Sequence, residues 1–362
     1  FTVRANPSLK WETQISTDIA LEFGLFDCLT GTIEYFKKDS KDLLFDVSQP
    51  ASVGVTSIIQ NIGKVTNSGV EIELDYNAFK NKDWSVSVGA NATFVKNKIK
   101  NLPATMKENG YISGSKKWLE GKSIYEFWLR QWHGVDPQTG DGLYVADVSK
   151  YNQGNIGTGD GNITQSQFDE YKKTVVTIDG KELTNSYTYA KYDFSGSSIP
   201  DVFGGFNVRV SYKNFDLAAV FSYQLGGQVL DTNYATMMSM TEFGYAQSPD
   251  LLKAWKQAGD ITEVPRIDNS AAHTTNIGQS YSTRWLTSSD YLNLRSVTIG
   301  YQFPKAWLSK VMLKSARLNL TAENLFMLKA RQGLNPMANY SGVTYNEYMP
   351  SRNITLGLNV SF

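Results

Sequence analysis

The chain has 362 residues with 35 basic and 35 acidic side chains, and this balance excludes a nucleic-acid partner because phosphate binding needs a basic surface. It contains no apolar run of about 18 residues, which excludes a transmembrane helix, and its single cysteine, Cys28, excludes an internal disulfide. The first residues, FTVRANPSLKWE, lack the basic and apolar regions of a signal peptide, so we expect a part of a longer exported protein.

Strict alternation of apolar and polar residues recurs along the chain and predicts β-strands, since successive side chains of a strand point to opposite faces. The last segment is the clearest case: Ile354, Leu356, Leu358, Val360 and Phe362 alternate with polar residues or glycine. Alternation of this kind occurs in residues 15–25, 29–35, 70–78, 84–94, 206–212, 215–225, 297–301, 316–322 and 354–362. Residues 11–26, 62–78 and 84–99 each exceed the usual strand length of about 5–6 residues. Strands of this length favour a membrane wall over a soluble sandwich.

The connections between the predicted strands are alternately short and long, as in outer-membrane barrels with short periplasmic turns and long extracellular loops. Short connections lie near residues 27–29, 79–83, 213–215 and 304–313, and long ones near 46–61, 100–122, 148–200, 230–290 and 329–351. We therefore predict an all-β fold, a transmembrane antiparallel β-barrel of which this chain supplies about eleven strands, with the pair in residues 124–147 the least certain. Open sheet edges are not tolerated in lipid, so further strands are expected elsewhere in the protein.

Aromatic residues are concentrated where the predicted strands meet the short turns. This is the position of an interfacial aromatic girdle, because amphipathic rings prefer the level of the lipid headgroups. The girdle is predicted to comprise Phe26, Tyr76, Phe79, Trp84, Tyr212, Phe215, Tyr301, Phe303, Trp307 and Phe362.

Nine blocks of the sequence, in order, resemble the SusC/RagA type of TonB-dependent outer-membrane transporters. Among them are NPSLKWETQISTDIALEFGLF (6–26), NIGKVTNSGVEIELDYN (61–77), EGKSIYEFWLRQWHGVDPQTGDGLY (120–144), DYLNLRSVTIGYQFP (290–304) and ITLGLNVSF (354–362). The resemblance implies that residues 1–362 are the C-terminal part of a barrel of about 22 strands in a Gram-negative outer membrane. It also implies a plug domain and a TonB box, both absent from this chain, and a SusD-like surface lipoprotein that covers the barrel mouth. The implied activity is import of an oligosaccharide or a peptide.

No catalytic, cofactor or metal site is expected. His133 and His273 are the only histidines, no nucleophile elbow occurs, and one cysteine cannot supply a zinc site. The carboxylates of Glu71, Glu73 and Asp75 alternate on one strand face, where a water-facing barrel lumen explains them better than a glycosidase. Residues 157–170 resemble a calcium-binding loop but lack two of its anionic ligands, so a polar turn is favoured.

The long loops hold the candidate substrate-binding residues. Aromatic faces stack on sugar rings, and guanidinium groups bind carboxylates and hydroxyls. The candidates are Trp118, Tyr125, Trp128, Arg130, Trp132, Tyr234, Tyr245 and Trp255, with packing within loops as the alternative for each. Residues 249–259 are predicted to form a short helix with Leu251, Leu252 and Trp255 on one side. A passive porin or a surface adhesin on a similar barrel is the alternative to active import.

Overall fold

A long antiparallel sheet dominates the computed structural model, which describes residues 6–48, 54–55, 57–239, 244, 246–268, 270 and 281–362. The described strands are β1 (Thr13–Leu25), β2 (Leu29–Lys41), β3 (Leu44–Ser48), β4 (Ser57–Asn61), β5 (Lys64–Lys80), β6 (Trp84–Asn101), β7 (Tyr111–Ser113), β8 (Lys116–Trp118), β9 (Glu126–Arg130), β10 (Trp132–Val135), β11 (Gly142–Val145), β12 (Val175–Ile178), β13 (Lys181–Thr184), β14 (Tyr192–Ser197), β15 (Val202–Tyr212), β16 (Phe215–Leu225), β17 (Gln228–Leu230), β18 (Leu286–Ser288), β19 (Tyr291–Gln302), β20 (Ser315–Glu323), β21 (Met327–Lys329) and β22 (Asn353–Ser361). The described helices are α1 (Gln165–Thr174), α2 (Thr232–Met237) and α3 (Lys305–Leu308). None of the helices in these described ranges is long and apolar enough to cross a membrane.

The main sheet follows the order β1-β2-β5-β6-β15-β16-β19-β20-β22, and β21 pairs with β19 as its tenth strand. All its neighbouring strands are antiparallel, which confirms the predicted barrel wall, but the wall has nine long strands rather than about eleven. The difference is the pair predicted in residues 124–147, which instead belongs to two separate four-stranded sheets. These strands have only 4 or 5 residues, too few to span a membrane, because about 9–11 are needed.

The two faces of the wall differ in polarity over the part that lies between the short turns and the cap end, because the pairing register keeps side chains of one kind together. One line of directly paired residues runs Leu25, Leu29, Tyr76, Val88, Val208, Ala219, Val297, Ala322 and Ile354, all apolar or aromatic. On the opposite face, Glu22 pairs with Thr32, Thr32 with Glu73, and Glu73 with Asn91. In an outer-membrane barrel the apolar face meets lipid and the polar face meets the lumen. The carboxylate of Glu73 therefore lies on the lumen wall.

Short hairpins connect the strands at one end of the wall, and the predicted girdle aromatics meet there across neighbouring strands. The ring centroids of Trp84 and Tyr212 are 4.3 Å apart, and those of Phe215 and Tyr301 are 4.4 Å apart. At the first hairpin, Phe26 and Asp27 both have positive φ, 56° and 54°, which closes the turn between β1 and β2. These contacts bring four of the predicted girdle residues, Trp84, Tyr212, Phe215 and Tyr301, together in pairs at the short-turn end of the wall.

Long excursions leave the opposite end of the wall, and they contain nearly all of the buried apolar residues. Strands β3 and β4 pair with each other between β2 and β5, and three longer excursions connect β6 to β15, β16 to β19 and β20 to β22, at residues 102–201, 226–290 and 324–352. We call the described residues of these three longer excursions the cap. Their main core unites all three, and it comprises Phe127, Leu129, Leu230, Ala235, Met238, Ala254, Val264, Trp285 and Val343. A second core around α1 lies within the first of them and comprises Ala146, Tyr151, Ile163, Phe168, Tyr171 and Tyr189.

Candidate functional site

Strand β9 of the cap presents two different faces because its side chains alternate. Phe127 and Leu129 are fully buried, at 0% exposure each, and belong to the main core. Trp128 lies between these two residues in sequence, and Arg130 follows Leu129. Both are half-buried and lie on the other face of the strand. The packing of one face therefore fixes the direction in which the tryptophan and the arginine project.

Strand β14 completes the half-buried face with two further rings. Tyr192 pairs with Arg130 and Phe194 pairs with Trp128 in the antiparallel register. The rings of Trp128 and Tyr192 are parallel within 2° at 6.0 Å, and Phe194 meets Trp128 edge-on at 4.9 Å. The register shifts after Phe194, where Gly196 has a φ of 90° that favours glycine. The result is an aromatic platform on the surface of the cap.

Cations lie over the rings of this platform. The Lys117 Nζ is 4.1 Å from the centroid of Trp128, and the Lys122 Nζ is 4.7 Å from that of Phe194. The ion pairs of the described residues involve other cations, so Lys117, Lys122 and Arg130 have no carboxylate within ion-pair distance in that part of the chain. Positive charge on the platform is therefore available to a ligand.

Arg130 is held by rings on two sides. Its guanidinium carbon lies 3.5 Å from the centroid of Tyr187 and 4.3 Å from that of Tyr192, and Nη1 donates a hydrogen bond to the Tyr192 hydroxyl. Its Nε is buried and has no hydrogen-bond partner among the described residues. Burial raises the pKa of Tyr187 to about 12, and its ring stays neutral beside the arginine.

The contacts continue from Tyr187 to a second arginine. Tyr187 meets Tyr144 at 5.8 Å, and Tyr144 meets Trp132 at 5.1 Å, both edge-on. The Arg284 guanidinium lies 4.7 Å from the centroid of Trp132 and 4.3 Å from that of Trp285. Burial lowers the pKa of Arg284 to about 10, which still leaves the guanidinium charged at neutral pH. Two arginines are thus held by stacking in one connected structure.

The last links are Tyr234 and Arg331. Tyr234 meets Trp285 edge-on at 5.9 Å, and the Arg331 guanidinium lies 3.7 Å from the Tyr234 centroid. Tyr234 donates a hydrogen bond of 2.8 Å to Asp250, and Arg331 forms an ion pair with Asp231. We call the whole set the aromatic–cationic chain, which comprises Lys117, Lys122, Trp128, Arg130, Trp132, Tyr144, Tyr187, Tyr192, Phe194, Tyr234, Arg284, Trp285 and Arg331.

Four of the eight candidate residues, Trp128, Arg130, Trp132 and Tyr234, therefore lie together in the aromatic–cationic chain. Trp118 and Tyr125 lie elsewhere in the cap: Trp118 packs edge-on against Phe45 of β3 at 6.0 Å, and Tyr125 packs against Tyr340 at 5.2 Å. Tyr245 lies outside the described residues. The structure thus divides the candidates into a connected group and separate packing contacts.

Trp255 serves the cap as a packing anchor. Its Nε1 donates a hydrogen bond of 2.9 Å to the Pro137 carbonyl, and its ring covers Gly140, where an added Cβ would lie 2.5 Å from the ring. The helix predicted around it is a 3-10 segment, Pro249–Lys253, that ends before the tryptophan. Leu251 packs on the main core while Leu252 is 78% exposed, so the expected single apolar side is wrong. A 3-10 turn of this length cannot align residues that a longer helix would bring together.

Sequence reasoning missed nine of the thirteen residues of the aromatic–cationic chain, including Tyr187, Tyr192, Phe194 and Arg284. A signal was present, since residues 187–194 read YTYAKYDF, with four aromatic residues close together. Tyr192 and Phe194 also show the spacing of two that places both on one face of a strand. The signal was weak because neither residue is near Trp128 in sequence.

Residues 157–170 form a turn and the start of α1 rather than a calcium loop. The Thr164 side chain accepts a hydrogen bond from the Gln167 amide, and the Gln167 side chain accepts one from the Thr164 amide, a capping box. Gln167 would be the last ligand of such a loop, but its side chain accepts the hydrogen bond that caps the N-terminus of α1. Among the described residues, no group of three or more His, Cys, Asp or Glu is arranged to hold a metal ion.

The arrangement in the cap is suited to binding rather than to bond making. The half-buried rings of Trp128, Tyr192 and Phe194 offer stacking surfaces to sugar rings, and the half-buried Lys117, Lys122 and Arg130 offer donors to carboxylates, sulfates or hydroxyls.

Comparison with known proteins relates the fold to a family. Residues 1–166 match the family model described as TonB dependent receptor-like, beta-barrel. The chain is 29% identical to TonB-dependent receptor P3 of Formosa agariphila, with 99% of this chain and 35% of that protein covered. It is 24% identical to TonB-dependent receptor SusC of Bacteroides thetaiotaomicron, with 99% and 32% covered. The chain thus spans about a third of the length of these curated relatives.

Solved structures agree with the sequence comparisons. The chain superposes on the RagAB peptide importer in its closed-closed state with a TM-score of 0.77 and 25% identity, covering 100% of this chain and 36% of that one. The superposition on the RagAB peptide transporter gives a TM-score of 0.76 at 24% identity. Sequence and fold therefore both relate the chain to TonB-dependent receptor β-barrels of the SusC and RagA type, with its strands in an outer-membrane barrel wall.

Proposed function

We propose that the protein imports a nutrient across the outer membrane and that this chain supplies part of its barrel wall and its extracellular cap. An oligosaccharide is the favoured cargo. The aromatic–cationic chain carries this proposal, because stacked rings with charged donors between them suit the ring faces, hydroxyls and acidic groups of a sugar chain. Trp128 and Arg130 are the residues that we assign to direct contact with the cargo.

The other parts of the import machinery follow from the family. We propose that residues 1–362 are the C-terminal barrel portion, that a plug and a TonB box elsewhere in the protein couple import to TonB, and that a SusD-like lipoprotein covers the mouth. The cap is the surface of this chain on which such a lid would rest, since it projects from the long-loop end of the wall.

The test is binding of purified full-length protein, with its lid lipoprotein where the two copurify, to a panel of ligands by isothermal titration calorimetry. The panel contains neutral oligosaccharides, oligosaccharides with uronate or sulfate groups, and a mixture of short peptides. We expect an oligosaccharide to bind, and Trp128→Ala to weaken its binding on the order of tenfold through loss of stacking.

Trp118→Ala is the matched control, because it removes the same ring type from the cap outside the aromatic–cationic chain. It should leave the affinity unchanged. Equal losses in the two variants would show that the cap as a whole is damaged and would contradict a contact role for Trp128. Absence of binding by every oligosaccharide would refute the favoured cargo.

Peptide import is the second candidate, because the structural relatives with the TM-scores above are described as a peptide transporter and a peptide importer. Binding of the peptide mixture with sensitivity to Trp128→Ala would favour it. A passive porin or an adhesin remains the alternative class. Diffusion of small sugars into liposomes containing the full-length protein, without any energy source, would favour the porin.

A further inference from the structure

The lipid-facing side of β2, β5 and β6 changes abruptly from apolar to basic near the cap. Tyr35, Val70 and Phe94 pair in register and form the last apolar row of these three strands. In the next row towards the cap, Lys37 pairs with Ser68 and Ser68 pairs with Lys96. All of these side chains share the face that meets lipid, since their positions keep the same alternation.

The basic rows contain five lysines and one acid on the same face. We call Lys37, Lys41, Lys64, Lys96 and Lys98 the lysine belt. The acid, Asp39, is already engaged: it accepts a hydrogen bond of 2.6 Å from Thr66 and lies 3.3 Å from the Lys64 Nζ and 3.7 Å from the Lys37 Nζ. Lys96 and Lys98 are exposed and have no ion pair among the described residues. The belt therefore has an excess of positive charge on a lipid-facing surface.

Strand geometry places the belt at the level of the outer headgroups. Trp84 lies in the aromatic girdle at the short-turn end, and Lys96 follows it on the same face of β6. Twelve residues of strand extend about 40 Å, and a tilt of about 40° converts this to a height of about 30 Å. The apolar band of an outer-membrane barrel is only about 25 Å tall. Lys96 therefore lies just beyond the hydrocarbon, where charged side chains meet headgroups.

A groove with a volume of about 800 Å³ opens beside the belt on the same face. The cap segment of residues 197–201 forms one side and the wall forms the other. The apolar lining of the groove comes from Tyr35, Val70, Phe94, Ile199 and Pro200. Lys96 and Lys98 line its charged end, and Asp201 is the one acidic residue of the lining. Hydroxyls of Ser68, Ser123 and Ser197 also line it. An apolar trough that ends in two lysines matches an acyl chain that ends in an anionic headgroup.

We propose that this groove binds a phosphate-bearing anionic lipid of the outer leaflet, with an acyl chain along Val70 and Phe94 and a phosphate at Lys96 and Lys98. The occupant follows from charge complementarity and from the position of the groove on the membrane-facing surface. This site is separate from the aromatic–cationic chain and does not depend on which nutrient is imported.

The test is native mass spectrometry of the full-length protein extracted in detergent and incubated with diphosphorylated lipid A or with phosphatidylethanolamine. We expect lipid A to stay bound, and the double variant K96Q/K98Q to retain on the order of tenfold less, since each lysine near an anionic surface contributes substantially to binding. Retention of phosphatidylethanolamine, which has no net charge, should be the same in both proteins.

The matched control is K80Q/K82Q, which removes two exposed lysines at the short-turn end of the wall. It should retain lipid A as the unmodified protein does. Equal retention by K96Q/K98Q, or an equal loss in both double variants, would overturn the proposal. A dimer that dissociates only in K96Q/K98Q would show instead that a second copy of the protein covers the groove.

Discussion

The wall and the cap place their apolar residues in opposite ways. In the wall, large apolar side chains point outward and are open to the surroundings, as with Leu21 at 63% and Leu356 at 69% exposure. In the cap, Phe127 is 0% exposed and Trp285 is 2% exposed, within a core shared by three excursions. Lipid covers the apolar side chains of the wall, whereas the apolar side chains of the cap must be buried against one another. The two regions should therefore respond in opposite ways to the same kind of substitution.

The largest expected effect is that of Phe127→Ala on the cap. The side chain is fully buried in the main core, and its ring also lies 3.2 Å from the Lys116 Nζ. Removal of a buried phenylalanine costs about 3–5 kcal/mol, so amide hydrogens of β9 and β14 should exchange at least about a hundred times faster. Hydrogen-exchange mass spectrometry of the full-length protein in detergent measures this for each segment.

The control for this variant is Leu358→Ala, a truncation on the lipid-facing side of β22, where the leucine is 62% exposed. It should leave exchange in the cap unchanged. Phe127→Ala should in turn leave the wall strands protected, because their hydrogen bonds do not depend on the cap core. Loss of protection in both regions by either variant would show that wall and cap unfold as one unit.

The same contrast explains which parts of the fold could be predicted from the sequence. The wall was predictable because its pattern is local: alternation from Trp84 to Phe94 already separates a lipid face from a lumen face. The strand count was too high because residues 124–147 contain short strands of the cap, among which β9 alternates as a wall strand does. Its alternation reflects the burial of Phe127 and Leu129 in the main core, and its length of 5 residues distinguishes it from a wall strand.

The candidate site was predictable only in part, for a physical reason. The aromatic and basic residues of β9 made Trp128 and Arg130 candidates from the sequence. Their partners Tyr192 and Phe194 belong to β14, and Tyr192 follows Arg130 by 62 positions. Trp255 looked equally suitable and proved to be a packing anchor over Gly140. Composition identifies residues that are able to bind, whereas tertiary packing decides which of them remain at the surface.

The second effect in size concerns a charge placed on the wall. Leu74 of β5 points to lipid, between the paired Gly31 and Ala90, near the middle of the apolar band. Leu74→Arg should cost about 2–4 kcal/mol, because a guanidinium near the bilayer midplane must leave water. Refolding of the full-length protein into lipid vesicles, followed by denaturant titration, measures the loss.

Glu73→Arg is a stringent control, since it introduces the same side chain one position away on the lumen face. Its new neighbours include the polar Thr32 and Asn91, so stability should change little. If both arginines proved equally harmful, the assignment of faces would be wrong. If Leu74→Arg proved harmless, this part of the wall would not meet lipid.

The smallest expected effect is a pH dependence confined to the cap. Lys116 is only 9% exposed, and its Nζ donates hydrogen bonds to the Tyr125 carbonyl at 2.8 Å and to the Ser198 hydroxyl at 3.3 Å. Burial lowers the pKa of Lys116 to about 7, although Glu126 opposes the shift. Because the unfolded lysine keeps a pKa of about 10.4, the unfolded cap binds the extra proton between these values.

Stability of the cap should therefore rise with pH from about 7 to about 10, by at most about 1.4 kcal/mol per unit, and lose this dependence below pH 7. Lys116→Met should remove the slope, since a methionine of similar length fills the site without a titrating group. The difference between the two proteins isolates Lys116, because every other titrating group is common to both. Cap stability at each pH is read from denaturant titrations followed by hydrogen exchange in β8 and β9. A slope that persists in Lys116→Met would assign the pH dependence to another group. The absence of a slope in the unmodified protein between pH 7 and 10 would mean that the contacts of Nζ with the Tyr125 carbonyl and the Phe127 ring hold the proton on the folded lysine.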